Sequence, residues 1–215
     1  MQQKRRHGAL ALLEFETIAS GILASDLMVK RAPIALLKCG TVHPGRFLIL
    51  VGGSVASTEE AFRVGRRLGE SERVLTDSVL LGDVHPALHD AVLGGRREVS
   101  GDALGVFETR SSPALLAAVD AAVKSTPVVL VEVRLADDLG GHAFALMSGD
   151  LTDTETALAI CSDKSGERRL DQRLLPRLDS DLGRLLDTTS RFSKCPAHEP
   201  ASAEYPEEVA CSWDA

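Results

Sequence analysis

The amino-acid sequence predicts an α+β protein made of two tandem copies of one domain, each an antiparallel sheet with its helices on one face. Three observations predict it: an internal repeat, one order of apolar runs and helical periodicities in both copies, and a polar turn leading into a buried strand that occurs twice. Ala9-Leu10-Ala11-Leu12-Leu13-Glu14 lies above Ala103-Leu104-Gly105-Val106-Phe107-Glu108, and the register holds onward to Asp26, Val29, Lys30 and Pro33 above Asp120, Val123, Lys124 and Pro127. After two inserted residues it resumes with Gly45 above Gly141, Gly53 above Gly149, and Ser57-Thr58-Glu59 above Asp153-Thr154-Glu155. The repeated units are Ala9 to Leu81 and Ala103 to Leu175.

Each unit opens on an apolar run, Ala9 to Leu13 or Ala103 to Phe107, that predicts a strand. A helix follows, because Ile18, Ile22, Ala24, Leu27 and Met28 recur at helical intervals. Pro33 marks its end, since the residue before a proline resists helical φ and ψ. Ile34 to Cys39 and Val128 to Val133 predict the second strand. The turn His43-Pro44-Gly45 joins a residue that titrates, one with fixed φ and one free to take positive φ, and it feeds the unbroken apolar strand Phe47 to Val51. The second copy repeats this with Leu139-Gly140-Gly141 before His142 to Met147. Ser57 or Asp153 is expected to cap a second helix, and Val74 to Leu81 or Leu170 to Leu175 closes the unit as a fourth strand.

The order strand, helix, strand, strand, helix, strand is the split βαβ arrangement of ferredoxin-like domains, which hosts many activities and settles none of them. The chain divides into a first domain over 9–81, a linker over 82–102, a second domain over 103–187 and an acidic tail over 188–215. The tail carries Pro196, Pro200 and Pro206 with Glu199, Glu204, Glu207, Glu208 and Asp214, a composition that predicts disorder. Tyr205, Val209 and Trp213 recur every four residues, which leaves open a short helix that docks on cargo or on a neighbouring chain.

Composition excludes several classes. The 215 residues are 44% hydrophobic and 26% charged, as in an ordinary globular protein, but only 4% aromatic, so Ala, Leu and Val must fill the core. A net charge of −7 argues against a sequence-independent grip on nucleic acid. Lys4-Arg5-Arg6 reads as a solvated terminus. No apolar run approaches the roughly 20 residues of a membrane span, and the start lacks the apolar run of a leader, so a cytoplasmic protein without a membrane partner is expected.

Cys39 and Cys161 lie in or beside apolar segments and read as small buried hydrophobes, while Cys195 and Cys211 sit in the polar tail without a zinc spacing. Glu14 and Glu108 occupy equivalent places, which duplication explains without catalysis. His85 and His89 have the i, i+4 spacing of a metal clasp, yet Pro86 between them favours a surface loop. Gly52-Gly53 lacks the spacing and the Lys-Ser/Thr of a nucleotide loop, and no nucleophile elbow is present. An enzyme is not expected.

The duplicated A-L-x-x-x-E, the helix ending at Asp26, Val29 and Lys30, the turn before a Gly-x-x-hydrophobic strand and the stretch Asp77-Ser78-Val79-Leu80-Leu81-Gly82-Asp83-Val84-His85-Pro86 resemble bacterial microcompartment shell proteins. With two copies, the chain is similar to their tandem-domain, trimer-forming class of BMC-domain proteins, and in particular to the branch of propanediol-utilisation compartments. The resemblance covers Ala9 to Leu186. It implies a homotrimer that imitates a hexagon, tiles with other shell proteins around enzymes and carries a central pore for metabolites or electrons.

By that resemblance the edge lysines fall on Lys30 and Lys124, and the edge arginine falls on Arg177, with His85 in the corresponding region of the first copy. A long side chain can lay its methylenes along a neighbour while its head group finds carbonyls; the bland reading is that both lysines complement a helix C-terminus. The pore residues fall on His43, Pro44 and Gly45 and on Leu139, Gly140 and Gly141. In the electron-transferring branch a pore cysteine holds an iron–sulfur cluster, but His43 stands at that position here, so no such cluster is expected. Three His43 imidazoles would oppose one another's protonation, and would bind a divalent metal, attract anions or merely line the opening. The competing class is a ferredoxin-like sensor of a small molecule or metal, or a redox carrier.

Overall fold

A computed structural model of the chain describes residues 6–195. The first unit runs β1 (Ala9–Phe15), α1 (Ile18–Arg31), β2 (Ala35–Val42), β3 (Arg46–Gly53), α2 (Val55–Ser71) and β4 (Leu75–Leu81). The second runs β5 (Ala103–Thr109), α4 (Ser112–Ser125), β6 (Val129–Leu135), β7 (Ala143–Gly149), α5 (Leu151–Ser165) and β8 (Arg169–Pro176). Between them lies α3 (Pro86–Val92), and α6 (Ser180–Thr188) follows β8.

Each unit folds into a four-stranded antiparallel sheet, in the order β2-β3-β1-β4 and β6-β7-β5-β8. The duplication extends to the irregularities. Register shifts at Glu14/Phe15 and Leu36/Lys38 recur at Glu108/Thr109 and Leu130/Glu132.

All of β1 is buried because both faces of its sheet are covered. Ala11, Leu13, Phe15, Ile49 and Val51 meet Ala24 and Met28 of α1 and Ala61 and Phe62 of α2. Leu10, Leu12, Leu48 and Leu50 face the other way and share a core with Ala87, Leu88 and Val92 of α3. In the second sheet Leu104, Val131 and Leu146 occupy the face away from α4 and α5, packed with Val99, Leu178 and Leu186. The two helices per sheet stand on one face as the sequence predicts, and α3 and α6 add cover to the other.

Helix limits follow the local chemistry. Ala32 and Thr126 turn extended just before Pro33 and Pro127, ending α1 and α4. The second helices start three residues earlier than expected: Ser54, whose side chain accepts from Ser57 N at 3.2 Å, and Asp150 hold the cap positions. Ser57 and Asp153 sit in the first turn, where Asp153 complements the helix dipole.

α1 reaches β3 through Gly21, where a methyl would lie 2.5 Å from Cδ1 and 2.7 Å from Cβ of Phe47. The helical preference of Ala over Gly, about 1 kcal/mol, opposes a clash with an atom fixed to the backbone, which costs about 1–3 kcal/mol. The clash is expected to win. Gly21→Ala should lower the urea midpoint by the equivalent of roughly 1 kcal/mol, and an unchanged or raised midpoint would show that Phe47 yields freely.

Candidate functional site

The two turns singled out in the sequence meet. His43, Pro44 and Gly45 are exposed at the tip between β2 and β3, where His43-Pro44 is a cis peptide and Gly45 has φ 102°. The β6–β7 loop bears Leu139, half-buried, with Gly140 and Gly141 both at positive φ. A methyl on Gly141 would stand 3.1 Å from Pro44 Cδ, 3.2 Å from Arg46 Nη1 and 3.4 Å from the His43 carbonyl oxygen. The turns are therefore held against one another within a single chain, and only glycine fits that contact at φ 85°.

From this contact a seam runs between the two domains, with α4 lying along β4 and β1. At the N-terminal end of α4, Glu14 is fully buried. Its Oε1 accepts from Arg46 Nη1 at 2.6 Å and its Oε2 from the backbone N–H of Ser112 at 3.0 Å. Burial pushes the Glu14 carboxyl upward, against the pull of Arg46 and of the Ser112 N–H. Beside it Ser111 Oγ donates to Asp77, and Arg168 donates to the carbonyl of Thr76 at 3.0 Å.

At the C-terminal end of α4, Asp120 accepts from the backbone N–H of His85 at 2.9 Å and from Lys124 Nζ at 2.5 Å. Lys124 also donates to the carbonyl of Asp83. A helix of 14 residues spans about 21 Å, so the seam carries the turns at one end and a lysine at the other.

Comparing equivalent positions shows what one chain leaves over. Ser112, Leu116 and Val123 of α4 are 0%, 0% and 6% exposed in the seam, whereas their counterparts in α1, Ile18, Ile22 and Val29, are 40%, 56% and 42% exposed. Lys30 pairs with Asp26 at 2.6 Å and, among the described residues, meets no loop carbonyl, unlike Lys124. Glu108, the copy of Glu14, is only partly buried, and β8, the copy of β4, is half-exposed to exposed along its length. α1 thus leaves exposed the face that its copy α4 buries in the seam, and β8 is likewise uncovered.

The remaining candidates are placed as follows. Arg177 is exposed, with φ 52°. His85 caps α3, its Nδ1 accepting from Ala87 N at 3.2 Å, and its backbone lies in the seam. The surface loop expected around His85 and His89 is in fact this helix, because Pro86 at its first position lacks only an N–H that no helix uses. His89 is buried, its Nε2 accepting from His7 N at 3.1 Å, and burial pushes its pKa down. Arg6, expected to be solvated, forms a two-point ion pair with Asp90, Nη2 to Oδ2 at 2.6 Å.

Cys161 is buried as expected and its thiol is pushed up to about 12, but Cys39 is exposed because β2 is an edge strand with a neighbour on one side only. Among the described residues no group of three or more metal-ligating side chains gathers in one chain, and no helix is long and apolar enough to cross a membrane. Thr188 to Cys195, the start of the expected tail, includes Arg191, which pairs with Asp138 at 2.8 Å. Residues 196–215, with Cys211, Tyr205, Val209 and Trp213, lie outside the described residues. Sequence reasoning missed Arg46, Asp77, Ser111 and Ser112; the equivalence of Glu14 and Glu108 was the available signal.

Comparison with known proteins fits this duplicated architecture. The BMC domain profile matches residues 9–82 and again 103–178. The bacterial microcompartment shell protein PduT of Citrobacter freundii is 35% identical over 162 residues, covering 75% of this chain and 87% of PduT. The carboxysome assembly protein CcmO of Synechocystis is 24% identical across 97% of this chain and 73% of its own length. A crystal structure of a microcompartments protein from Desulfitobacterium hafniense DCB superposes with a TM-score of 0.72 and 31% identity, covering 82% of this chain and 98% of that one. The two profile matches, the PduT alignment and the shared fold place the chain in one family: it belongs to the BMC domain family, as a tandem-domain bacterial microcompartment shell protein.

Proposed function

We propose that three copies close head to tail into a six-domain ring, in which the seam inside each chain recurs between chains and the ring serves as one tile of a cytoplasmic shell. The observation that carries this reading is the pairing of exposed Ile18, Ile22 and Val29 on α1 with their buried equivalents on α4. A contact between two different surfaces either closes a ring or continues as a filament, and a chain that contains one such contact already made carries half of the geometry. In the ring α1 lies on β8 of the next copy, Thr17 stands to Asp171 as Ser111 does to Asp77, and Lys30 reaches the carbonyl of Arg177 as Lys124 reaches that of Asp83.

Three His43 and three Leu139 turns then alternate around the hub, because each His43 turn already abuts a Leu139 turn. Imidazole nitrogens there can hold a divalent metal or donate to a passing anion. The lysines fall at the opposite ends of the seams, where further tiles would meet the ring. As a shell component the chain is structural and not an enzyme.

The test is assembly. Concentrated protein, imaged in negative stain, is expected to form flat sheets or tubes with a hexagonal repeat. Discrete particles at every concentration would favour a sensor or carrier instead.

A further inference from the structure

Strands β2, β3 and β6, the end of α3 and the residues after α6 border a cavity of about 510 Å³ that the shell role does not use. Its apolar wall comes from Leu12, Leu48 and Leu50 of the first sheet and Val133 of the second. Five cations line the rest, Lys38, Arg96, Arg134, Arg191 and Lys194, against two carboxylates, Glu132 and Asp137. In a chain whose net charge is −7, this local excess of positive charge runs against the composition.

Most of these cations are engaged. Arg96 pairs with Glu132 at 2.5 Å, Arg191 with Asp138 at 2.8 Å, and Lys38 donates to the Val92 carbonyl at 2.9 Å. Arg134 differs. Its guanidinium lies 5.4 Å from the ring centre of Phe144, its one hydrogen bond is a long 3.5 Å contact to Ser190, and its Nε is buried without a partner among the described residues. No carboxylate comes within ion-pair distance of Arg134 among the described residues, and burial, then Arg191, push its pKa down against the opposing pull of the more distant Glu132, Asp138 and Asp137. A partly buried guanidinium left without an anion costs free energy that a bound oxyanion would return.

We propose that this cavity binds a small organic anion with a phosphate-type head held by Arg134 and its neighbouring cations and a compact apolar body seated on Leu12, Leu48, Leu50 and Val133. The cavity draws no lining residue from α1, α4, β4 or β8, the elements proposed to close the ring, so the proposal can fail while the ring stands, and the reverse.

Isothermal titration of the full chain with phenyl phosphate, inorganic phosphate and benzyl alcohol tests it. Phenyl phosphate is expected to bind saturably at one site per chain, inorganic phosphate at least fivefold more weakly, and benzyl alcohol not measurably. Arg134→Gln should weaken phenyl phosphate at least tenfold, with Arg134→Lys recovering part of the loss. Arg63→Gln, on an exposed ion pair of α2, should change nothing. Absence of saturable phenyl phosphate binding, equal binding by benzyl alcohol, or undiminished binding by Arg134→Gln would overturn the proposal.

Discussion

Ile22→Glu is expected to convert the assembly from about 69 kDa, three copies of 22.9 kDa, to single chains of 22.9 kDa without unfolding them. Ile22 is 56% exposed on α1 while its equivalent Leu116 is fully buried in the seam, so the substitution adds a charge where the free chain meets water and the ring meets apolar surface. Burying an isoleucine contributes about 2 kcal/mol, and a desolvated, unpaired carboxylate costs at least as much again. Repeated at three seams, the loss is on the order of 10 kcal/mol, enough to dissociate a ring at micromolar concentration. Light scattering with circular dichroism checks both halves of the expectation. A persisting 69 kDa species would mean that α1 faces solvent in the assembly.

Glu14→Ala should destabilise the chain itself. The carboxylate is fully buried and joins β1, the start of β3 and the first turn of α4, so its loss removes two hydrogen bonds and leaves Arg46 and the Ser112 N–H unpaired. Removing one partner of a buried pair costs about 3–5 kcal/mol, and the 28% exposure of the Arg46 side chain, which lets the guanidinium turn to water, sets the cost at about 3 kcal/mol. The melting temperature should fall by roughly 6–12 °C.

Glu14→Gln should lose less, because an amide oxygen still accepts from Ser112. A pH signature separates the two effects. The folded pKa of Glu14 lies above its ordinary 4.5, so the folded chain holds the proton more tightly than the unfolded chain and the Glu14 contribution declines as pH rises from 4.5 through the folded pKa. Glu14→Gln should flatten that slope in urea midpoints measured across the window, and an unchanged slope would show that another group produces it.

Much of this was legible in the sequence, and the misses share a cause. Duplication exposed the order of the elements, and Pro33 and Pro127 their first helix ends, because covalent constraints act locally. What needs a partner from elsewhere was hidden. Leu10 and Leu12 read the same as Ala11 and Leu13 in an apolar run, so nothing showed that alternate residues meet α3 rather than α1 and α2. Cys39 belongs to an apolar stretch, but β2 is an edge strand on which both Lys38 and Cys39, on opposite faces, stay exposed. Pro86 was weighed as a breaker although at a helix start it is favoured, and Ser57 was preferred as a cap although Ser54 follows the strand directly. The seam joins residues as far apart as Glu14 and Ser112, a separation at which periodicity carries no signal.

A single-particle reconstruction of the wild-type protein tests the head-to-tail ring most directly. The account predicts three chains about a threefold axis, Ile22 of each copy seated on β8 of the next, and three His43 imidazoles facing the axis. A monomer, a twofold dimer, or a ring with His43 on its outer rim would contradict it.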